Sequence, residues 1–198
     1  MQVDSIESGL KEKLFKVTNR IQSEVERMTE LMNDVLILGK INAGSVKPTF
    51  NSTDLLAIIK ETAKKYDDIQ NDGRKVKIER IGEPRHIMID GKLMEHTISN
   101  LISNAFKYSI NKPSPVLTLN YKKDQVQISV RDFGIGIPSD EVKNLFQAFY
   151  RASNANDLPG TGLGVAIAKE YTELNGGKIS VISKLNEGSE FIVDFKNN

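Results

Sequence analysis

The feature that most limits what this chain can become is an apolar stripe with nothing local to pack against. Leu14, Val17, Ile21, Met28, Leu31, Val35 and Leu38 recur at alternating spacings of three and four, with Glu24 the one interruption, and Val25, Met32 and Leu36 widen the band. Such spacing keeps residues on one side of an α-helix, so the segment reads as one long amphipathic helix over about 12–42 with a coiled-coil seam. A lone helix cannot bury that stripe in water. It needs a partner helix, from a second copy or from residues outside this sequence. Gly44-Ser45 and Pro48 end the helix and open a linker.

Beyond the linker the periodicity changes. Asp54 to Gln70 reads as a helix capped by Asp54 or Thr53, with Leu55, Ile58, Ile59, Thr62 and Ala63 inward. Lys75–Ile81 and His86–Asp90 are short strands. Lys92–Tyr108 is a second amphipathic helix, with Met94, Ile98, Leu101, Ile102 and Ala105 on its apolar side. Val116–Tyr121 and Val126–Arg131 alternate as strands around a hairpin turn at Lys122–Gln125. A short helix is predicted over Ser139–Phe149, a mobile loop over Arg151–Gly160, and a helix over Thr161–Leu174 closed by Asn175-Gly176-Gly177. Lys178–Ser183 and Glu190–Phe195 make a last strand pair. A mixed sheet with helices on one face follows, an α+β fold in two layers preceded by a coiled-coil-like helix. Hydrophobic residues at 39% and charged residues at 27% suffice for a core. A net charge of +1 gives no reason to expect a nucleic acid partner, and the lack of cysteine excludes disulfides and thiolate metal sites. No apolar run approaches the ~20 residues that span a bilayer, and residues 1–10 lack the apolar block of a signal peptide.

Three polar constellations carry chemistry. Asn100, Asn104, Lys107 and Tyr108 share one helix face, turned from the apolar side. An amide oxygen suits Mg2+, and a lysine one turn on can neutralise phosphate; the same face would also serve as ordinary solvated surface. Asp132-Phe133-Gly134-Ile135-Gly136-Ile137-Pro138 follows a strand directly. Its carboxylate can accept from an adenine amino group, and its glycines let backbone pass close to a flat ring; an ordinary strand-to-helix turn is the alternative. Gly160-Thr161-Gly162-Leu163-Gly164-Val165-Ala166 opens a helix, where exposed N–H groups and the helix N-terminus suit a triphosphate, or simply form a flexible loop. It is not a P-loop, because no Gly-Lys-Ser/Thr follows, and the glycine spacing is not that of a dinucleotide fingerprint.

With these stretches in this order, residues 52–195 resemble the catalytic region of sensor histidine kinases, in the superfamily with the Bergerat ATP-binding fold. Residues 100–109 look like its N box, 132–137 its G1 box, 145–151 its F box and 160–167 its G2 box, and Gly188-Ser189-Glu190-Phe191 resembles its closing segment. The resemblance implies ATP and Mg2+ as cofactors, with Asn104 ligating the metal. It places Asn100, Lys107 and Tyr108 on the phosphate side and Asp132 on the adenine amino group. It makes residues 136–160 an ATP lid anchored by Phe146 and Phe149, with Tyr150 beside the nucleotide and Arg151 near the γ-phosphate. Gly134, Gly136, Ile137, Gly160, Thr161, Gly162, Leu163 and Gly164 would contact nucleotide, and Ser189 would reach adenine through water.

Related ATPases of the superfamily carry a Glu where Asn100 stands, a general base for water that an amide cannot replace. The resemblance therefore favours a kinase, with Asn100, Asn104, Lys107 and Arg151 at the reaction centre. A hydrolase driving a conformational cycle and a non-catalytic nucleotide-binding or dimerisation module are the alternatives. Residues 1–47 look like the second helix of the dimerisation and phosphoacceptor domain, and 48–198 like the catalytic domain. The acceptor box, with its histidine, is absent: only His86 and His96 occur. On this reading the chain is truncated before its second dimerisation helix and does not label itself. Its expected partners are ATP, a histidine-bearing helix of its full-length chain or homodimer mate, and a response regulator receiver domain. Its expected place is the cytoplasm, or the cytosolic part of a membrane-bound sensor.

Overall fold

The computed structural model describes residues 2–70, 72–156 and 158–196. Its elements run α1 (Gln2–Asn42), β1 (Asn51–Thr53), α2 (Leu55–Ile69), β2 (Lys77–Ile81), β3 (Ile87–Ile89), α3 (Gly91–Lys107), β4 (Val116–Lys122), β5 (Gln125–Arg131), α4 (Gly164–Leu174), β6 (Lys178–Lys184) and β7 (Gly188–Lys196). Five strands form one sheet in the order β2-β4-β5-β7-β6, with β2 parallel to β4 and the other pairs antiparallel. The parallel pair needs a crossover, supplied by β3 and α3. β1 and β3 make a separate antiparallel ribbon, Thr53 opposite Ile87. This is the expected two-layer α/β sandwich behind a long helix.

Strand alternation builds the core. Leu117, Leu119 and Tyr121 of β4, Val126, Ile128 and Val130 of β5, and Phe191, Val193 and Phe195 of β7 are buried. They face Ile59 of α2 and Ile98, Leu101, Ile102 and Ala105 of α3 in one cluster. Lys122 pairs with Gln125, which leaves Lys123-Asp124 as a two-residue turn.

Both central helices are capped by aspartate. Asp54 Oδ1 accepts from the N–H groups of Leu56 and Ala57 at 2.9 and 3.2 Å, and Asp90 Oδ1 from those of Lys92 and Leu93 at the same distances. Asp90 also ties distant chain together. Its Oδ2 accepts from the Thr49 N–H at 2.8 Å, and its own N–H donates to Asn175 Oδ1 at 2.7 Å, just past the end of α4.

Several expectations are corrected. α1 begins at Gln2, well before residue 12, and the short strand β1 was not foreseen. The helix expected over Ser139–Phe149 is only a 3-10 turn, Val142–Asn144. N–H groups there bond three residues back, Asn144 to Glu141 and Gln147 to Asn144 at 2.9 Å each, and Phe149 has φ of 65°, outside helical range. α4 starts at Gly164 and not Thr161, because Gly162 holds a φ of 74°. Another 3-10 turn, Ser153–Ala155, interrupts the loop expected over Arg151–Gly160, whose residue 157 lies outside the described residues.

The end of α1 is seated. Ile37, Leu38, Ile41 and the following Val46 pack on Leu93 of α3 and Leu163, Ile167 and Tyr171 around α4. Upstream, the apolar stripe faces solvent: Leu14 is 58% and Met28 68% exposed. Among the described residues no helix is long and apolar enough to cross a membrane.

Candidate functional site

One cavity of about 560 Å³ gathers the three polar constellations. From α3 and its C-cap come Asn100, Asn104, Lys107 and Tyr108. From the segment after β5 come Asp132, Gly136 and Ile137. From the loop before α4 come Gly160, Thr161, Gly162 and Gly164. Tyr150 and Arg151 of the intervening segment and Ser189 of β7 complete the residues that sequence reasoning named there. The volume is that of an ordinary small-molecule site.

Asp132 is a buried carboxyl in the cavity, 5% exposed. Its Oδ1 accepts from the Gly134 N–H at 2.8 Å. Burial pushes its carboxyl up to about 6, partly offset by backbone N–H groups of Gly134 and Ser189. A carboxylate with spare acceptor capacity in an apolar wall suits a donor on a flat heterocycle.

The opposite end is cationic. The Lys107 ammonium sits 4.6 Å above the centre of the Tyr108 ring and so close to Gly160 that a side chain there would collide with it. Gly164 lies beside Asn100, whose Oδ1 would be 3.2 Å from an added methyl. Lys107, the Asn100 and Asn104 amides and the N-terminus of α4 thus share one end of the cavity, an arrangement suited to an anion.

The segment between these walls is held by its own polar groups. Glu141 accepts from the Ser153 N–H at 2.8 Å, the Ser153 hydroxyl at 2.5 Å and the Tyr150 hydroxyl at 3.1 Å. Asn154 donates to the Gly136 carbonyl at 2.9 Å. Arg151 lines the cavity, yet its guanidinium donates to the carbonyls of Ala155 and Leu158, back into its own segment.

Gly134, Phe146 and Leu163 do not line the cavity. Gly134 abuts the Tyr108 carbonyl, Phe146 packs on the main core, and Leu163 is fully buried in the seam under α1. Phe149 is 62% exposed. His86 and His96 are both exposed and neither lines the cavity.

Sequence reasoning missed a wall. Ser23, Arg27, Glu30 and Asp34 of α1 line the same cavity, as does Glu24, the interruption in the apolar stripe. Their spacing of four, three and four is a second face of α1, legible as a polar row beside the apolar one. Asp34 Oδ2 accepts from the Thr161 hydroxyl at 2.9 Å. Asn154 was missed too, for no sequence pattern marks it.

The family model described as histidine kinase-, DNA gyrase B- and HSP90-like ATPase matches residues 89–198, more than half of the chain. The chain belongs to this family. Its relatives include sensor histidine kinases. MtrB of Mycolicibacterium paratuberculosis is 29% identical over 181 residues, covering 90% of this chain and 32% of that protein. YkoH of Bacillus subtilis is 31% identical over 177 residues, covering 88% of this chain and 38% of that protein. The chain therefore spans about a third of the length of these relatives. The full-length structure of ShkA in complex with AMPPNP superposes with a TM-score of 0.72 at 24% identity, covering 84% of this chain and 35% of that one, which establishes the shared fold.

Proposed function

We propose that this chain is the ATP-binding catalytic part of a sensor histidine kinase, delivering the γ-phosphoryl group of ATP to a histidine on a dimerisation helix, for onward transfer to a response regulator aspartate. The carrying observation is that one cavity joins a buried acceptor, Asp132, to a cationic end at Lys107 and the loop of Gly160 to Gly164, with an amide, Asn100, at that end. Residues 1–47 would supply the second helix of the dimerisation domain and 48–198 the catalytic domain.

The residues fit the nucleotide. The cavity has the volume, one end accepts a donor, and the other offers positive charge and backbone N–H groups. They also fit Mg2+ brought in with the triphosphate. Among the described residues no group of three or more His, Cys, Asp or Glu could hold a metal alone, and Mg2+ commonly keeps its waters while bridging phosphates with one or two protein ligands. Asn104 Oδ1 would be that ligand. Bound there, the ion would neutralise charge on the transferring phosphoryl group.

The chain's own residues then bind and orient. Asp132 selects the adenine amino group, and Ser189 stands beside it. Lys107 draws the phosphates to its end of the cavity, while the loop of Gly160 to Gly164 lets backbone close over them. Arg151 would swing from the Ala155 and Leu158 carbonyls to the γ-phosphate only after the segment opens. Asn100 can hold an oxygen but cannot take a proton from water, which favours an external nucleophile. The exposed stripe of α1 offers the face for the partner helix.

The deciding experiment is incubation with γ-labelled ATP and Mg2+. The chain alone should bind ATP without labelling, and a partner chain carrying an acceptor-histidine helix should become labelled. Robust labelling of this chain by itself would refute an acceptor outside it. Vigorous phosphate release without any histidine substrate would make it a hydrolase instead.

A further inference from the structure

A contact joins α1 to the glycine loop. Asp34 Oδ2 accepts from the Thr161 hydroxyl at 2.9 Å, and the same hydroxyl oxygen accepts from the Leu163 N–H at 3.2 Å. Leu163 is the N-cap of α4, and its side chain caps nothing. A carboxylate borne by α1 thus sits, through one hydroxyl, at the helix end that attracts anions.

The setting of Asp34 sharpens this. Burial raises its pKa, partly offset by the hydrogen bond from the Thr161 hydroxyl. Glu24 and Glu30 stand on the same cavity wall. Arg27 is the one cation of that row, paired with Glu24 at 3.5 Å. One turn further on, Ile37, Leu38 and Ile41 pack against Leu93 of α3 and Leu163, Ile167 and Tyr171 around α4. The docked helix therefore brings net negative charge to the cavity, with Asp34 at the glycine-loop end that is suited to an anion.

Resting on the nucleotide reading above, we propose that docking of α1 and binding of Mg-ATP oppose one another through Asp34. The carboxylate holds Thr161 of the glycine loop and would repel a triphosphate bound there, so nucleotide favours release of the helix turns around residues 23–34. Those turns also carry part of the exposed apolar stripe, so occupancy of the cavity would decide how freely that stripe meets a partner helix.

The test uses the full chain, titrated with Mg-ATP and with uncharged adenosine by calorimetry, as wild type and as Asp34→Asn. The amide keeps shape and acceptor while removing charge, so folding is preserved. Asp34→Asn should bind Mg-ATP roughly three- to tenfold more tightly, with adenosine affinity unchanged. Mg-ATP should also speed hydrogen exchange over residues 23–34 of the wild type. Equal or weaker Mg-ATP binding by Asp34→Asn, or slowed exchange in those turns, overturns the antagonism and leaves the nucleotide reading standing. Absence of Mg-ATP binding in both proteins overturns the two together.

Discussion

Glu141 and Ser153 are joined twice, by the backbone N–H at 2.8 Å and by the hydroxyl at 2.5 Å, and the pair pins the segment that separates the two glycine-rich stretches. These bonds hold the Glu141 carboxyl below its ordinary range. A depressed carboxylate contributes order above its unfolded pKa and loses it as pH falls through the folded value. Glu141→Ala should therefore speed hydrogen exchange over residues 150–156 at neutral pH by about tenfold, and the wild type should approach the variant in acid. Identical exchange in the two proteins at neutral pH would show that the staple does not order the segment.

Asp132 shows the opposite shift, from 3.8 to about 6, because burial disfavours its charge. Between those values the folded state binds more protons than the unfolded one, so stability falls as pH rises through that window. Holding the charge at neutral pH then costs on the order of 2–3 kcal/mol. Asp132→Asn should melt at a higher temperature than the wild type at pH 7, yet bind Mg-ATP at least tenfold more weakly, since an amide presents fewer acceptor sites to the adenine amino group. Wild-type affinity should fall as pH drops through about 6. Calorimetric titration with a melting curve reads both; unchanged affinity would remove Asp132 from the site.

Gly134 is constrained by the backbone beside it. An added methyl would lie 2.0 Å from the Tyr108 carbonyl oxygen, which accepts from the Ile135 N–H at 3.1 Å. Gly134→Ala should reduce unfolding free energy by about 1–3 kcal/mol in urea denaturation, the usual penalty of overpacking. A midpoint equal to wild type would mean that the turn after β5 yields freely.

Asn104 lines the cavity on the same helix face as Asn100 and Lys107. Asn104→Ala should lower Mg-ATP affinity at least tenfold while leaving adenosine affinity within twofold, a division expected if the residue meets the ion and not the base, with roughly 1.4 kcal/mol per tenfold. Equal losses for both ligands would indicate a collapsed helix face instead.

The parts of this fold written in local chemistry were legible in the sequence. Asp54 caps α2, Asn175 and Gly176 close α4, and the alternation of β4 and β5 fixes both their faces and their turn. The polar face of α3 was legible for the same reason, since helix periodicity alone places Asn100, Asn104 and Lys107 together. The segment 139–160 was not. Its shape comes from Glu141 reaching Ser153 and from Phe149 at positive φ, contacts that no periodicity encodes. The direction of Arg151 was lost for that reason: nearby carbonyls compete for its guanidinium. The α1 wall was not legible because a polar row beside an apolar stripe has the same pattern as an ordinary solvated helix face.

Asp90 gives the site its mechanics. Its backbone N–H and carbonyl clasp the Asn175 amide at 2.7 and 3.3 Å, and its side chain caps α3. The beginning of α3 is thereby fastened to the end of α4, while Asn100 and Gly164 meet at the other end of the helix pair. The two helices are therefore tied at the start of α3 and meet again where Asn100 lies against Gly164, so the spacing between the amide face and the glycine loop depends on a joint outside the cavity.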